Sequence, residues 1–313
     1  MIKRIMCIVL LCLLILGCKP ENGEQSIEAE NIYSGTAGLK TEIVDKSFPS
    51  EIYENENFDF VVRVTNKGPI EINNARLLVV PERGYLAFSD GSPTKPAEIL
   101  NLEGKEQFQT VDDFEILTFG LRAMELESLS EIHNAIVSVS TCYDYISKAW
   151  GSVCIDTDPH NIKPGDKACT VKTLSLSGGQ GGPLVINRVE PRMTVDGENI
   201  RPQFKIYVEN VGQGSVTRYG NVERYCSNQP LDQEDYNVIP SSQIEIGLPG
   251  YGTGSFSCVP QELALKGKQD YITCTLRDSV PPSIDPYMTT ISVELRYGYV
   301  DSQARQITIN KLT

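Results

Sequence analysis

The segment 154–160 (CIDTDPH) carries the residues of this chain that are best suited to hold a metal ion. Asp156, Asp158 and His160 alternate along it, and carboxylate oxygens are the ligands that calcium prefers. The segment lacks the full ligand spacing of an EF-hand loop, and aspartate and proline are also typical of ordinary turns. We therefore expect no cofactor, and we keep a calcium ion on these three residues as the weaker alternative.

Catalytic groups are scarce elsewhere in the chain. It contains two histidines, His133 and His160, whereas hydrolases commonly need a base that titrates near neutral pH. No Gly-x-Ser-x-Gly elbow and no Gly-Lys-Ser phosphate loop occurs. We expect a protein that is not an enzyme, with a carboxylate-based hydrolase as the least favoured alternative.

Six cysteines follow residue 18, and their spacing differs from the paired Cys-x-x-Cys of zinc sites. They are Cys142, Cys154, Cys169, Cys226, Cys258 and Cys274. An even number in an exported chain indicates a disulfide framework, although six cysteines allow fifteen pairings. We predict the two short loops, Cys154–Cys169 and Cys258–Cys274. Cys142 and Cys226 then either link the two halves of the chain or stay reduced, and some buried free thiols are the alternative.

The first residues are typical of an export signal. Lys3 and Arg4 precede an apolar run over 5–16, which ends at Gly17 and Cys18. This run is too short to span a bilayer as a helix and fits a signal peptide over residues 1–17. An uncleaved short anchor or an ordinary signal peptide is the alternative.

The residues before Cys18 resemble the lipobox of prokaryotic lipoproteins, although Leu16 is larger than the small residue usual at the middle position. The resemblance implies a diacylglycerol thioether on Cys18 and cleavage after Gly17. Two acyl chains anchor a protein firmly. We therefore expect an exported protein, lipid-anchored to the outer face of the cytoplasmic membrane at the cell surface.

The chain is acidic, with a formal net charge of −13, which disfavours nucleic acid as a partner. Residues 18–38 are polar and predict a flexible acidic tether. Two groups of glutamates are expected to be solvated surface residues. They are Glu51, Glu54 and Glu56, and Glu125, Glu127 and Glu131.

Two segments, 57–68 and 201–212, share one strand pattern. Each alternates apolar and polar residues and ends in Val-x-Asn-x-Gly, which predicts a half-buried strand followed by a turn. We attribute the turn to the positive φ that Asn and Gly tolerate. Further strands are predicted in each half, at 75–82, 95–102, 114–123, 185–195, 243–247 and 271–278.

A second pattern closes each half. Segments 137–145 and 291–299 each carry a pair of tyrosines, and each is followed by a short polar stretch and another strand. We predict two hairpins, with buried tyrosines, and one short helix at Met124–Ile132. The predicted organisation is two tandem immunoglobulin-like β-sandwich domains at 39–157 and 184–313, joined by a connector at 158–183, in an all-β fold.

The Val-x-Asn-x-Gly strands at 64–68 and 208–212 resemble the CARDB and related immunoglobulin-like modules of bacterial and archaeal surface proteins. The chain as a whole is similar to two-module lipoproteins of archaea. The resemblance implies adhesion or binding of a protein or glycan partner, and no catalytic residues. A structural subunit or assembly factor of an envelope complex, such as a filament or surface layer, is the main alternative.

Overall fold

The all-β fold that the sequence predicts is confirmed. The computed structural model describes residues 32–106, 111–227, 233–252 and 254–312, with 56% strand and 4% helix. The leader and Cys18 lie outside the described residues, as does most of the expected tether.

The strands of the first half run in chain order as follows: β1 (Leu39–Ile43), β2 (Glu51–Tyr53), β3 (Asn57–Asn66), β4 (Ile72–Pro81), β5 (Leu86–Phe88), β6 (Glu98–Leu102), β7 (Phe114–Ala123), β8 (Ile132–Ile155) and β9 (Leu174–Ser175). Those of the second half are β10 (Leu184–Asp196), β11 (Asn199–Asn210), β12 (Ser215–Thr217), β13 (Val238–Pro240), β14 (Ile244–Gly247), β15 (Phe256–Val259), β16 (Glu262–Ala264), β17 (Gln269–Leu276) and β18 (Tyr287–Asn310). A single-turn helix, α1, spans Val222–Tyr225, and 3₁₀ turns lie at Asp45–Ser47, Gln233–Asp235 and Ser241–Gln243.

Two smaller sheets form around the two patterned strands. The first sheet has the order β1-β3-β7-β5, and the second sheet has the order β15-β17-β11-β10-β9. The alternation explains their burial: every second residue of β3 and β11 points into the core. The fully buried residues include Phe60, Val62, Phe204 and Ile206.

β8 and β18 form the centre of a third, long sheet. Each has 24 residues, and they pair antiparallel along their whole length, from Ile132 opposite Asn310 to Ile155 opposite Tyr287. β4 and β6 extend this sheet beyond β8, while β12, β14 and β2 pair with β18.

The two smaller sheets cover the same face of the long sheet. Thr141 of β8 hydrogen-bonds to Thr41 of β1 at 2.7 Å, and Ser147 of β8 donates to the carbonyl of Leu184 on β10 at 2.8 Å. Both residues occupy odd positions of one strand, so their side chains point to the same side. Most of the buried apolar residues of both halves form one continuous cluster, and a smaller cluster forms around the Cys142–Cys226 bond.

The described residues pack together as one unit. The domain boundaries that we expect at 39–157, 158–183 and 184–313 therefore stay a prediction.

The two predicted hairpins are wrong. Residues 146–148 continue β8, and residues 300–303 continue β18. Neither stretch contains glycine, proline or a residue with positive φ that would reverse the chain. Their polar side chains are instead accommodated by cross-strand pairing, as in the ion pair of Lys148 with Glu294 at 3.3 Å.

The predicted helix at Met124–Ile132 is also wrong. Residues 124–131 form a loop, with a turn in which the Ser130 amide donates to the Glu127 carbonyl at 2.9 Å. One leucine of this segment, Leu126, is buried, and its amide is capped by Glu54 at 3.0 Å. A single anchored leucine does not provide the apolar face that a helix needs.

The four tyrosines of the long strands are buried, as predicted. Tyr143 and Tyr145 of β8 face Tyr299 and Tyr297 of β18, and their rings pack at centroid distances of 5.7 and 6.1 Å. The cluster lies at the middle of both strands, where the first and second sheets meet the long sheet. Among the described residues, no helix has the length and apolarity that crossing a membrane requires.

Candidate functional site

The acidic segment 154–160 does not present free ligands to a metal. Lys167 places its ammonium nitrogen 2.7 Å from an oxygen of Asp156, and both oxygens of Asp158 accept backbone amides, from Ile162 and Lys163. These backbone hydrogen bonds lower the pKa of Asp158. His160 is exposed. Within the ranges that the structure describes, no group of three or more metal-ligating side chains occurs.

Three disulfides join the six cysteines. Cys154 pairs with Cys169 and Cys258 pairs with Cys274, the two short loops expected from the sequence. Cys142 pairs with Cys226, so that the bond ties α1 to the outer side of β8 and joins the two halves of the chain. These bonds brace the strands and leave no thiol among the six for nucleophilic chemistry.

The two glutamate groups converge at one end of the long sheet, which we call the acidic end: Glu51, Glu56, Glu125, Glu127 and Glu131. These five side chains are exposed. Glu54, which we expected to be solvated, is instead buried. Its two oxygens accept the backbone amides of Leu126 and Leu312 at 3.0 and 3.1 Å.

The outer side of the second sheet carries a cluster of cations and aromatic rings. We call this surface the cationic face and define it by Arg188 and Arg192 of β10, Lys205 and Tyr207 of β11, and Tyr271 of β17. The guanidinium of Arg188 lies 3.8 Å from the ring centroid of Tyr207, and the ammonium of Lys205 lies 3.7 Å from that of Tyr271. Cations at these distances are attracted to the ring faces.

Strand register positions these side chains. Phe204, Ile206 and Val208 point into the core, so the residues between them point outward. Tyr207 lies opposite Tyr271 on one side and Arg188 on the other, and the two tyrosine rings are 5.5 Å apart. The face is therefore a row of side chains that runs across three strands.

Hydrogen bonds and charge hold the row in place. Glu190 accepts the Tyr207 hydroxyl at 3.1 Å and lies 3.3 Å from Arg188. Hydrogen bonding to Tyr207 raises the pKa of Lys205, and the nearby Tyr271 and Glu190 act in the same direction. Lys205 therefore stays protonated at neutral pH.

A depression of about 460 Å³ opens beside Lys205, between β10 and β17. Its lining consists of Glu190, Pro191, Arg192, Gln203, Lys205, Tyr271 and Thr273. Arg192 is exposed, and among the described side chains neither Arg192 nor Lys205 has a carboxylate within ion-pair distance. Both cations border the depression, on a chain whose net charge is −13. They can attract an anionic group.

Sequence reasoning missed this face. The alternation at 201–212 indicates which residues point inward, and Lys205 and Tyr207 are the outward positions of the same pattern. Tyr271 lies in a strand that the sequence predicts, but its position opposite Tyr207 depends on the register between distant strands. The detectable signal was the mixture of lysine and tyrosine on the outward positions.

A larger groove of about 700 Å³ lies between β14 and β15. Among its described lining residues are one carboxylate, Glu245, and one guanidinium, Arg277, together with several serines. No histidine is among these described lining residues. The carboxylate pair that a glycosidase-type mechanism uses is not assembled here.

Comparison with known proteins adds no assignment. No protein family model matches the chain, and no curated protein matches it. Among solved structures, the secreted serine protease VesC from Vibrio cholerae matches 86% of this chain and 50% of its own at 12% identity, with a TM-score of 0.20. Red sea bream transglutaminase matches 89% of this chain and 32% of its own at 11% identity, with a TM-score of 0.22. A DUF4466 family protein from Parabacteroides merdae matches 84% of this chain and 99% of its own at 9% identity, with a TM-score of 0.18. The chain thus spans half or less of the length of the first two proteins. TM-scores this low carry no argument about fold or activity.

Proposed function

We propose that this chain is a lipid-anchored, non-enzymatic protein of the cell surface that binds a protein or glycan partner through its cationic face. The observation that carries the proposal is the pair Arg192 and Lys205 beside Tyr271, on the outer side of a sheet whose inner side is fully packed. Exposed arginine and tyrosine side chains are enriched where proteins bind partners.

The location follows from the leader and from the cysteines. The run that ends at Gly17-Cys18 supports export and attachment by a thioether on Cys18. The pairing of all six later cysteines supports an oxidising compartment. Anchoring near the N-terminus would leave the sheets outside the membrane and accessible to a surface partner.

The scarcity of catalytic groups supports a binding role over an enzymatic one. His133 is bonded to Glu82 at 3.0 Å and stacked on Tyr85, away from both the groove and the cationic face. The buried carboxylate Glu54 is occupied by two backbone amides. A binding protein needs neither a base nor a nucleophile.

A binding assay on cell envelopes tests the proposal. Purified, fluorescently labelled Cys18→Ser protein, which has no thiol at residue 18 to carry the lipid, is added to envelopes isolated from the cells that produce the chain, and bound protein is measured against concentration. We expect saturable binding that the double change Lys205→Glu and Tyr271→Ala abolishes. The control Lys46→Glu changes the net charge at an exposed lysine elsewhere and should bind normally. Equal binding by the cationic-face variant and the wild type would refute the proposal.

A further inference from the structure

One apolar side chain projects far from the fold. Leu129, at the tip of the loop formed by residues 124–131, is 98% exposed. The loop is fixed on both sides of this tip: Leu126 is buried and bonded to Glu54, and the amide of Lys311 donates to the Glu131 carbonyl at 2.9 Å. A leucine held outward on an anchored loop gains nothing in the isolated chain, because its apolar surface stays in water.

The loop that carries Leu129 is rich in carboxylates, and the ammonium of Lys311 also lies on it, donating to the Glu127 carbonyl at 3.0 Å. Glu125, Glu127 and Glu131 are exposed on the same loop and belong to the acidic end. The cationic face has the opposite character, with Arg192 and Lys205 beside the depression and Tyr271 as its apolar wall. The carboxylate of Glu190 also lines the depression, and it is engaged by Arg188 and the Tyr207 hydroxyl. The two surfaces thus match in charge, and each combines charged groups with apolar area. Interfaces are commonly complementary in this way.

We propose that the cationic face binds the Leu129 loop of a second copy of this chain. Leu129 enters the depression beside Tyr271, and Glu125 and Glu127 pair with Lys205 and Arg192. This inference rests on the proposed function, since it names the partner of the same face.

The contact would join two different surfaces, one on a loop of the first half and the other on a sheet of the second half. Such a head-to-tail contact leaves one free surface of each kind at the two ends of every open assembly. Copies therefore add in an open series unless a ring closes. On a membrane, the lipid anchor would raise the local concentration of copies and favour the series.

Cross-linking of an isotope mixture tests the contact directly. Full-length mature protein in mild detergent is prepared with ¹⁴N and with ¹⁵N, mixed, and treated with a carbodiimide, which joins carboxylates to lysines without a spacer. We expect mixed-isotope peptides that link Glu125 or Glu127 to Lys205. Sedimentation velocity on the same samples should show association that increases with concentration and decreases with salt.

Charge reversal gives a stricter test. Lys205→Glu with Arg192→Glu should weaken association by about tenfold or more, because carboxylates would then face carboxylates. Adding Glu125→Lys and Glu127→Lys to that variant should restore the association. Leu129→Asp should also prevent association, whereas Ile162→Asp, at another exposed apolar side chain (80% exposed), should leave it unchanged.

The outcomes separate this inference from the proposed function. A wild-type protein that stays monomeric but binds envelopes through the cationic face would overturn the inference and leave the proposed function standing. A protein that neither associates nor binds envelopes would overturn both. The inference would also be overturned if neither the charge reversal nor Leu129→Asp changed the association.

Discussion

The hydroxyl of Tyr145 stands directly above the α-carbon of Gly68, so closely that a Cβ at residue 68 would overlap it. Tyr299 stands in the same relation to Gly212. Each glycine follows a buried asparagine whose side-chain oxygen accepts the glycine amide at 3.1 Å, Asn66 in the first half and Asn210 in the second. The repeated Asn-x-Gly is therefore a docking site for a tyrosine of the long sheet.

This relationship predicts that Gly68→Ala destabilises the fold. The added methyl group would force Tyr145 out of a packed core, and overpacking of this kind costs about 1–3 kcal/mol. Urea unfolding measures the loss. Gly267→Ala is the matched control, because nothing lies within 4 Å of a Cβ at that position. Equal stability of the two variants would contradict the account.

The tyrosine cluster predicts loss of stability at alkaline pH. Burial raises the pKa of Tyr143 and Tyr297 well above 10.0 and that of Tyr299 to about 12. Above pH 10 the unfolded chain releases phenolic protons that the folded chain retains, so the free energy of unfolding falls as pH rises. Urea unfolding between pH 9 and about 11.5, followed also by tyrosinate absorbance, tests this. Tyr143→Phe should make the fall less steep, and an unchanged slope would contradict the prediction.

Two of the three disulfides are predicted to differ in their effect on stability. Cys142–Cys226 closes a separation of 84 residues and Cys154–Cys169 one of 15. The chain-entropy relation then gives losses of roughly 4.5 and about 3 kcal/mol on replacing each pair by alanine. Denaturant unfolding of the two double variants measures this order. A larger loss for the short loop would show that native-state packing outweighs chain entropy here.

Glu54 is predicted to be a structural carboxylate. Glu54→Ala leaves the amides of Leu126 and Leu312 without their acceptor, which should cost about 1–3 kcal/mol. The loop that carries Leu129 should become more mobile, and hydrogen exchange at residues 124–131 should rise. Glu51→Ala, at an exposed glutamate of the same end, is the control. Unchanged exchange in Glu54→Ala would contradict this role.

Much of the fold could be predicted where a pattern lies within one strand. The alternation of β3 and β11 determines which residues are buried, and β7 spans the predicted 114–123. The continuity of β8 through Ser147 could not be predicted, because its partner strand lies in the other half of the chain. A polar residue between two apolar runs looks like a turn until the strand opposite it is known.

The role of Asn66 and Gly68 shows the same limit. We expected both residues to supply positive φ for a turn, yet neither is among the described residues with positive φ. The turn is made by the asparagine side chain, and the glycine is needed because of Tyr145. The cationic face was missed for a related reason, since Tyr207, Tyr271 and Arg188 become neighbours only through strand register.

Peptide mapping of the mature protein under non-reducing conditions is the most direct test of the account, because surface exposure and anchoring underlie the proposed binding role. Protein purified from membranes is digested and analysed by mass spectrometry. The account predicts an N-terminal peptide that starts at Cys18 and carries a diacylglycerol thioether, together with linked peptides for Cys142–Cys226, Cys154–Cys169 and Cys258–Cys274. An unmodified Cys18 still preceded by Gly17, with the six later cysteines reduced, would contradict it.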